Sequence, residues 1–119
     1  MSDNNPIPLP IEASRLREVC AADRDLGAEL LDLFHDESKT LMENLREGLA
    51  AGDTTRVREA AHGIKGAAGT LGFLETGHCA TVIEIAARNN SLESAASQLN
   101  DLNAALERLD AAFTEVTWD

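Results

Sequence analysis

The sequence predicts an all-α fold, an antiparallel up-down four-helix bundle with a short additional N-terminal helix. Three observations lead there. Apolar residues make up 44% of the 119 while aromatics make up only 3%, and Ala and Leu stand where a sheet would carry Val, Ile, Tyr and Thr. Apolar residues recur at three- and four-residue intervals along most of the chain. Short Gly/Asp and Asn/Ser connections favour antiparallel neighbours. The length fits a single domain with one core.

Residues 1–10 hold all three prolines, Pro6, Pro8 and Pro10, in an alternation that excludes helix and predicts an extended or disordered arm ahead of a domain at 11–119. Ile11 to about Ala22 forms a short helix with Leu16, Val19 and Cys20 on one side. A long helix runs from about Leu26 to Ala51 on Leu26, Leu30, Phe34, Leu41, Leu45 and Leu49, with a polar step at Glu37 and Ser38. Gly52 ends it and Asp53 caps the next. That third helix, about Thr54 to Leu71, aligns Val57, Ala60, Ala61, Ile64, Ala67, Ala68 and Leu71 in one stripe. Gly72 interrupts the chain. Leu74, Cys79, Val82, Ile83 and Ala86 then mark a fourth helix ending between Arg88 and Asn90, and Asn90 with Glu93 reads as the capping pair of a fifth. In this last helix Leu92, Leu99, Leu102, Leu106, Leu109, Phe113 and Val116 keep the spacing of a bundle seam.

The net charge of -11 opposes binding to nucleic acid or anionic lipid, which leaves proteins or small ligands as partners. No window approaches the roughly 18 apolar residues of a membrane span, and no basic start precedes an apolar stretch, so a cytoplasmic location is expected. Cys20 and Cys79 lie in apolar helical patterns without metal-type spacing, as packed, reduced thiols. Asp32, Asp36, Glu37, Glu43 and Glu47 read as solvated helix faces that disfavour self-association, so a monomer is expected. His35 has no companion histidine at i+4 and reads as solvated; His78 reads as exposed or as rim around His62; Trp118 reads as a terminal packing residue.

The informative segment is Ala60-Ala61-His62-Gly63-Ile64-Lys65-Gly66-Ala67-Ala68-Gly69-Thr70-Leu71-Gly72. On a helix with Ile64 at the centre of the buried side, His62 falls about 160° away and faces outward. Gly66 stacks one turn beyond it and Gly69 lies on the same outer side. Gly63, Gly66 and Gly69 each weaken the helix by about 1 kcal/mol relative to alanine, and the last two point away from the core, as clearance for something bulky beside the imidazole. Lys65, three residues on, is within reach of a group attached to the ring and can balance a phosphoryl dianion. An exposed imidazole, partly unprotonated near neutral pH, can attack an activated phosphoryl group.

The run from His62 to Ala68 resembles the His-x-hydrophobic-Lys-Gly-small-small motif of the histidine-containing phosphotransfer (HPt) domain family. Leu71-Gly72 follows at the family's spacing, and Phe34 and Gly52-Asp53 resemble its upstream landmarks. The resemblance implies a phosphoacceptor at His62 assisted by Lys65. It implies a docking surface for response-regulator receiver domains around Gly66 and Gly69, with Arg58, Glu59, Glu84 and Arg88 as further docking positions. Many relatives carry glutamine where Glu84 stands, and a carboxylate there repels phosphate unless it binds the ring nitrogen that is not phosphorylated; a salt bridge to Arg88 at i+4 is the other reading. The implied function is a phosphorelay step between receivers in a two-component system, with a hybrid sensor histidine kinase upstream.

No cofactor or metal site of the chain's own is expected. The glycines at 63, 66, 69 and 72 form neither a Walker loop nor a dinucleotide loop, and the resemblance places the acidic pocket and Mg2+ on the receiver. The resemblance therefore implies a phosphocarrier without an ATP site of its own, with kinase activity only as a domain of a larger hybrid sensor. The alternatives are a non-catalytic helical adaptor that binds receivers or another protein, and a metal- or ligand-binding bundle enzyme, which three histidines at 35, 62 and 78 and no Glu-x-x-His pair oppose.

Overall fold

The computed structural model describes residues 8–119. These form six helices: α1 (Ala13–Val19), α2 (Arg24–Ala51), α3 (Thr54–Leu71), α4 (Leu74–Arg88), α5 (Leu92–Ser97) and α6 (Leu99–Thr114). Most of the predicted N-terminal arm precedes Pro8 and lies outside the described residues. Among the described residues no strand forms, and no helix is long and apolar enough to cross a membrane.

The helix ends follow from local chemistry. Asp23 Oδ1 accepts from the amides of Asp25 and Leu26 at 3.0 and 3.3 Å, which starts α2 two residues earlier than the apolar pattern implies. Gly52 closes α2 in the left-handed region at φ 68, and Asp53 Oδ1 caps α3 through the Arg56 amide at 3.1 Å. Gly72 closes α3 at φ 79, and the Phe73 amide donates back to the Ala68 carbonyl at 2.9 Å. Thus α3 spans the predicted interval, fixed by a cap at one end and a glycine at the other.

Two expectations at the C-terminal end are corrected. Asn90 does not cap a helix start: at φ 58 it terminates α4, with the Ser91 amide donating to the Ala86 carbonyl at 2.8 Å, and Ser91 is the residue that precedes α5. The single fifth helix is two helices, broken at Gln98. Ser97 Oγ donates to the Ser94 carbonyl at 2.8 Å, where side-chain hydroxyls compete with the helical ladder.

The core stripe of α2 is also rotated from the expected one. Gly27, Leu31, Phe34, Ser38, Met42, Leu45 and Gly48 are buried, whereas Leu30, Leu41 and Leu49 flank the stripe and Leu26 is exposed. The polar step is divided, with Ser38 inside and Glu37 outside. In α3 the predicted stripe holds, with Ala67 only partly buried.

The largest helix interface joins α3 to α4, and the next joins α2 to α3. Small residues permit both approaches. A Cβ at Gly77 would sit 3.7 Å from Ala68 Cβ, and one at Gly63 would meet Leu41 Cδ1 at 3.2 Å. The segment before α1 is tied to the α3–α4 turn by two backbone bonds, Glu12 N–H to the Gly72 carbonyl at 2.7 Å and Glu75 N–H to the Leu9 carbonyl at 3.1 Å. Arg108 of α6 bonds the buried Glu75 of α4 through both carboxylate oxygens. Trp118 folds back against Phe113 and Gly27, and both cysteines are buried free thiols, pushed above their ordinary value first by burial.

Candidate functional site

The register of α3 sends its apolar stripe inward and His62 outward, with 66% of the side chain exposed. Gly66 and Gly69 continue the same outer face: a Cβ built at either meets nothing within 4 Å, so neither glycine serves packing. Gly63 is different, since it lets Leu41 approach. The strip C-terminal to His62 is therefore bare backbone, uncovered by any neighbouring side chain.

Beneath the imidazole lies Glu84. Its position in the run Val82-Ile83-Glu84-Ile85 puts a carboxylate on the side of α4 that packs against α3, and its side chain is only 5% exposed. Glu84 Oε2 lies 2.7 Å from His62 Nδ1, and Oε1 accepts from Lys65 Nζ at 2.6 Å. Arg88 Nη2 stands 3.7 Å from Oε2, an ion pair without a hydrogen bond. Burial pushes the Glu84 carboxyl up, but hydrogen bonds and charge from Lys65 and His62 outweigh it and hold the group below its ordinary value. Glu84 is thus ionised and accepts only, so Nδ1 carries the proton and the lone pair of the neutral ring sits on Nε2.

Of the expected docking positions, Glu84 is the one whose side chain is buried, and it bonds His62 and Lys65 from below. The expected Glu84–Arg88 bridge at i+4 is present as an ion pair at 3.7 Å, beside the two hydrogen bonds that Glu84 makes to α3. Arg58 and Glu59 are exposed one turn before His62, and with His62, Glu84 and Arg88 they line an open hollow of about 390 Å³. The imidazole therefore has a charged hollow on one side along α3 and the bare glycine strip on the other.

The other histidines stand elsewhere. His78 is exposed and lines a hollow with Asp101 and Arg108, between α4 and α6, so it is not rim around His62. His35 is not simply solvated: its Nε2 lies 3.0 Å from Asp110 Oδ1, linking α2 to α6. Among the described residues no group of three or more His, Cys, Asp or Glu side chains is arranged to hold a metal ion.

Sequence reasoning missed one surface. Leu33, 62% exposed, borders a groove of about 270 Å³ with Leu30, Phe34, Ala67, Thr70 and Leu71. It adjoins the glycine strip, since Thr70 Oγ1 donates to the Gly66 carbonyl at 3.1 Å. The available signal was a leucine falling off the α2 stripe.

Comparison with known proteins agrees with this arrangement. No curated protein matches the sequence. Among solved structures, the fold is similar to histidine-containing phosphotransfer protein B (HptB) from Pseudomonas aeruginosa PAO1, with a TM-score of 0.80 at 23% identity, covering 89% of this chain and 92% of that one. The Hpt domain family model matches residues 29–112, which span α3, its outward histidine and the carboxylate below it. The chain belongs to the Hpt domain family.

Proposed function

We propose that this chain is a phosphoryl carrier of a two-component phosphorelay, accepting the group on His62 from a receiver-domain aspartate and passing it to another receiver. One observation carries the reading: an exposed imidazole whose Nδ1 is bonded to a buried carboxylate, leaving Nε2 free to react.

The Nε2 lone pair attacks the phosphorus of an aspartyl phosphate, an N–P bond forms, and the P–O bond breaks with its electron pair leaving on the aspartate carboxylate. Nδ1 keeps its proton, so the phosphorylated ring is cationic and the ionised Glu84 balances it across 2.7 Å. Lys65 supplies positive charge for the phosphoryl oxygens. The divalent cation that screens them further belongs to the receiver, together with its acidic pocket.

Docking follows from shape. A receiver helix lies against the bare strip of Gly66 and Gly69 and meets the apolar groove at Leu33, while Arg58, Glu59 and Arg88 meet the polar rim of the receiver site. We read the helices as the antiparallel up-down four-helix bundle with α1 as a short addition, acting as a monomer in the cytoplasm, with a hybrid sensor kinase as the distal source of phosphate. The exposed acidic residues along α2 and the reduced buried thiols support that reading.

Incubation with a phosphorylated receiver tests the carrier role against a non-catalytic adaptor. The wild type gains acid-labile phosphate and His62→Gln gains none; equal labelling of the two, or none in the wild type, removes the carrier role.

A further inference from the structure

Glu84 is one buried negative charge facing two cations and the His62 imidazole. His62 and Lys65 reach it from α3 with hydrogen bonds at 2.7 and 2.6 Å, whereas Arg88, on its own helix, stands off at 3.7 Å. A carboxylate this buried is destabilised by the loss of a close cation, even where the phosphorylated ring supplies another.

The carrier cycle, on which this inference rests, makes that loss an issue. Because Nδ1 faces Glu84, a phosphoryl group on Nε2 lies on the far side of the ring from the carboxylate. Lys65, 35% exposed and three residues from His62, is able to turn outward to that dianion, but doing so draws its ammonium away from Glu84 Oε1.

We propose that Arg88 is a positioning residue that closes on Glu84 when Lys65 turns to the phosphoryl group, so that the two cations exchange partners in each cycle. Arg88 sits one helical turn from Glu84, so the backbone keeps it within reach. Its side chain is 57% exposed and borders the hollow of about 390 Å³ shared with Arg58 and Glu59, which leaves the guanidinium room to move. Reaching hydrogen-bond distance from its present place requires a shift of about 1 Å. The exchange breaks no covalent bond and moves no proton: Nδ1–H stays on Oε2, Lys65 leaves Oε1 for a phosphoryl oxygen, and Arg88 takes up the carboxylate. In the loaded state Glu84 then has Arg88 as well as the cationic phosphorylated ring beside it, and Lys65 is released at little cost.

The test is nitrogen-15 NMR of the Arg88 guanidinium and the Lys65 ammonium near neutral pH, where phosphohistidine survives, before and after loading with a phosphorylated receiver or with phosphoramidate. In the wild type, loading changes Arg88 from freely rotating to held. In Glu84→Gln, loading leaves Arg88 rotating. Arg88→Gln slows acceptance of phosphate from the receiver by about fivefold, and Arg88→Lys restores it. If Arg88 rotates equally in both states of the wild type, or is held on loading even in Glu84→Gln because it grips the phosphoryl group itself, the exchange is wrong while the carrier role stands. If neither donor loads the wild type, both fall.

Discussion

His62 Nδ1 and Glu84 Oε2 are 2.7 Å apart, one on a side chain 66% exposed and the other on one 5% exposed. A single contact thus joins a solvent-facing imidazole to a charge inside the α3–α4 interface. The stability of that interface and the readiness of the site are linked through it.

The link has a pH signature. Glu84 is held below its ordinary value of 4.5, so the folded state binds this proton less readily than the unfolded one. Its contribution is fully present above pH 4.5 and is lost as the pH falls through the lower folded value. Urea unfolding of wild type and Glu84→Gln at neutral pH and near pH 3 checks this: the advantage of the wild type shrinks on acidification.

Gly66→Gln separates stability from function. Open space around the Cβ position means no clash within the chain, and replacing a mid-helix glycine raises stability by about 0.5 kcal/mol. On the carrier reading the longer side chain occupies the proposed docking strip, so transfer from a phosphorylated receiver falls on the order of tenfold, equivalent to about 1.4 kcal/mol of lost docking. Thermal melting and single-turnover transfer should move in opposite directions.

Two other helical glycines differ in sign. Gly69→Ala enters open space and gains about 1 kcal/mol. Gly48→Ala places a Cβ 2.9 Å from Val57 Cγ2 and 3.1 Å from the Val57 amide nitrogen, and backbone there cannot give way easily. That variant loses about 1–3 kcal/mol in chemical denaturation.

Ser38 is buried in the α2 stripe, and its hydroxyl finds no hydrogen-bond partner among the described residues. Ser38→Ala removes an unsatisfied polar group and improves helix propensity, so it raises stability by about 1 kcal/mol. A higher unfolding midpoint at unchanged urea dependence is the expected result.

What the sequence made legible depends on how local the cause was. The bounds of α3 could be read because Asp53 and Gly72 act within their own turns. His62 could be placed outward because the stripe through Ile64 is unambiguous at helical period. The break at Gln98 was hidden, since the Ser97 hydroxyl that competes with the ladder at the Ser94 carbonyl sits under an unbroken apolar spacing. The burial of Glu84 was hidden for a different reason: it depends on how closely α4 approaches α3, which Gly77 and Ala68 set from two separate segments. A lone carboxylate inside the run from Val82 to Ala87 was the sign that it had a dedicated partner.

The open strip formed by Gly66 and Gly69 flanks a single exposed imidazole. On the carrier reading, donor and acceptor must use the same footprint, so they exclude one another and no ternary complex forms. Turnover then follows ping-pong kinetics, and an excess of either unphosphorylated receiver inhibits by occupying the carrier. Release, rather than affinity, becomes the quantity that sets signalling flux.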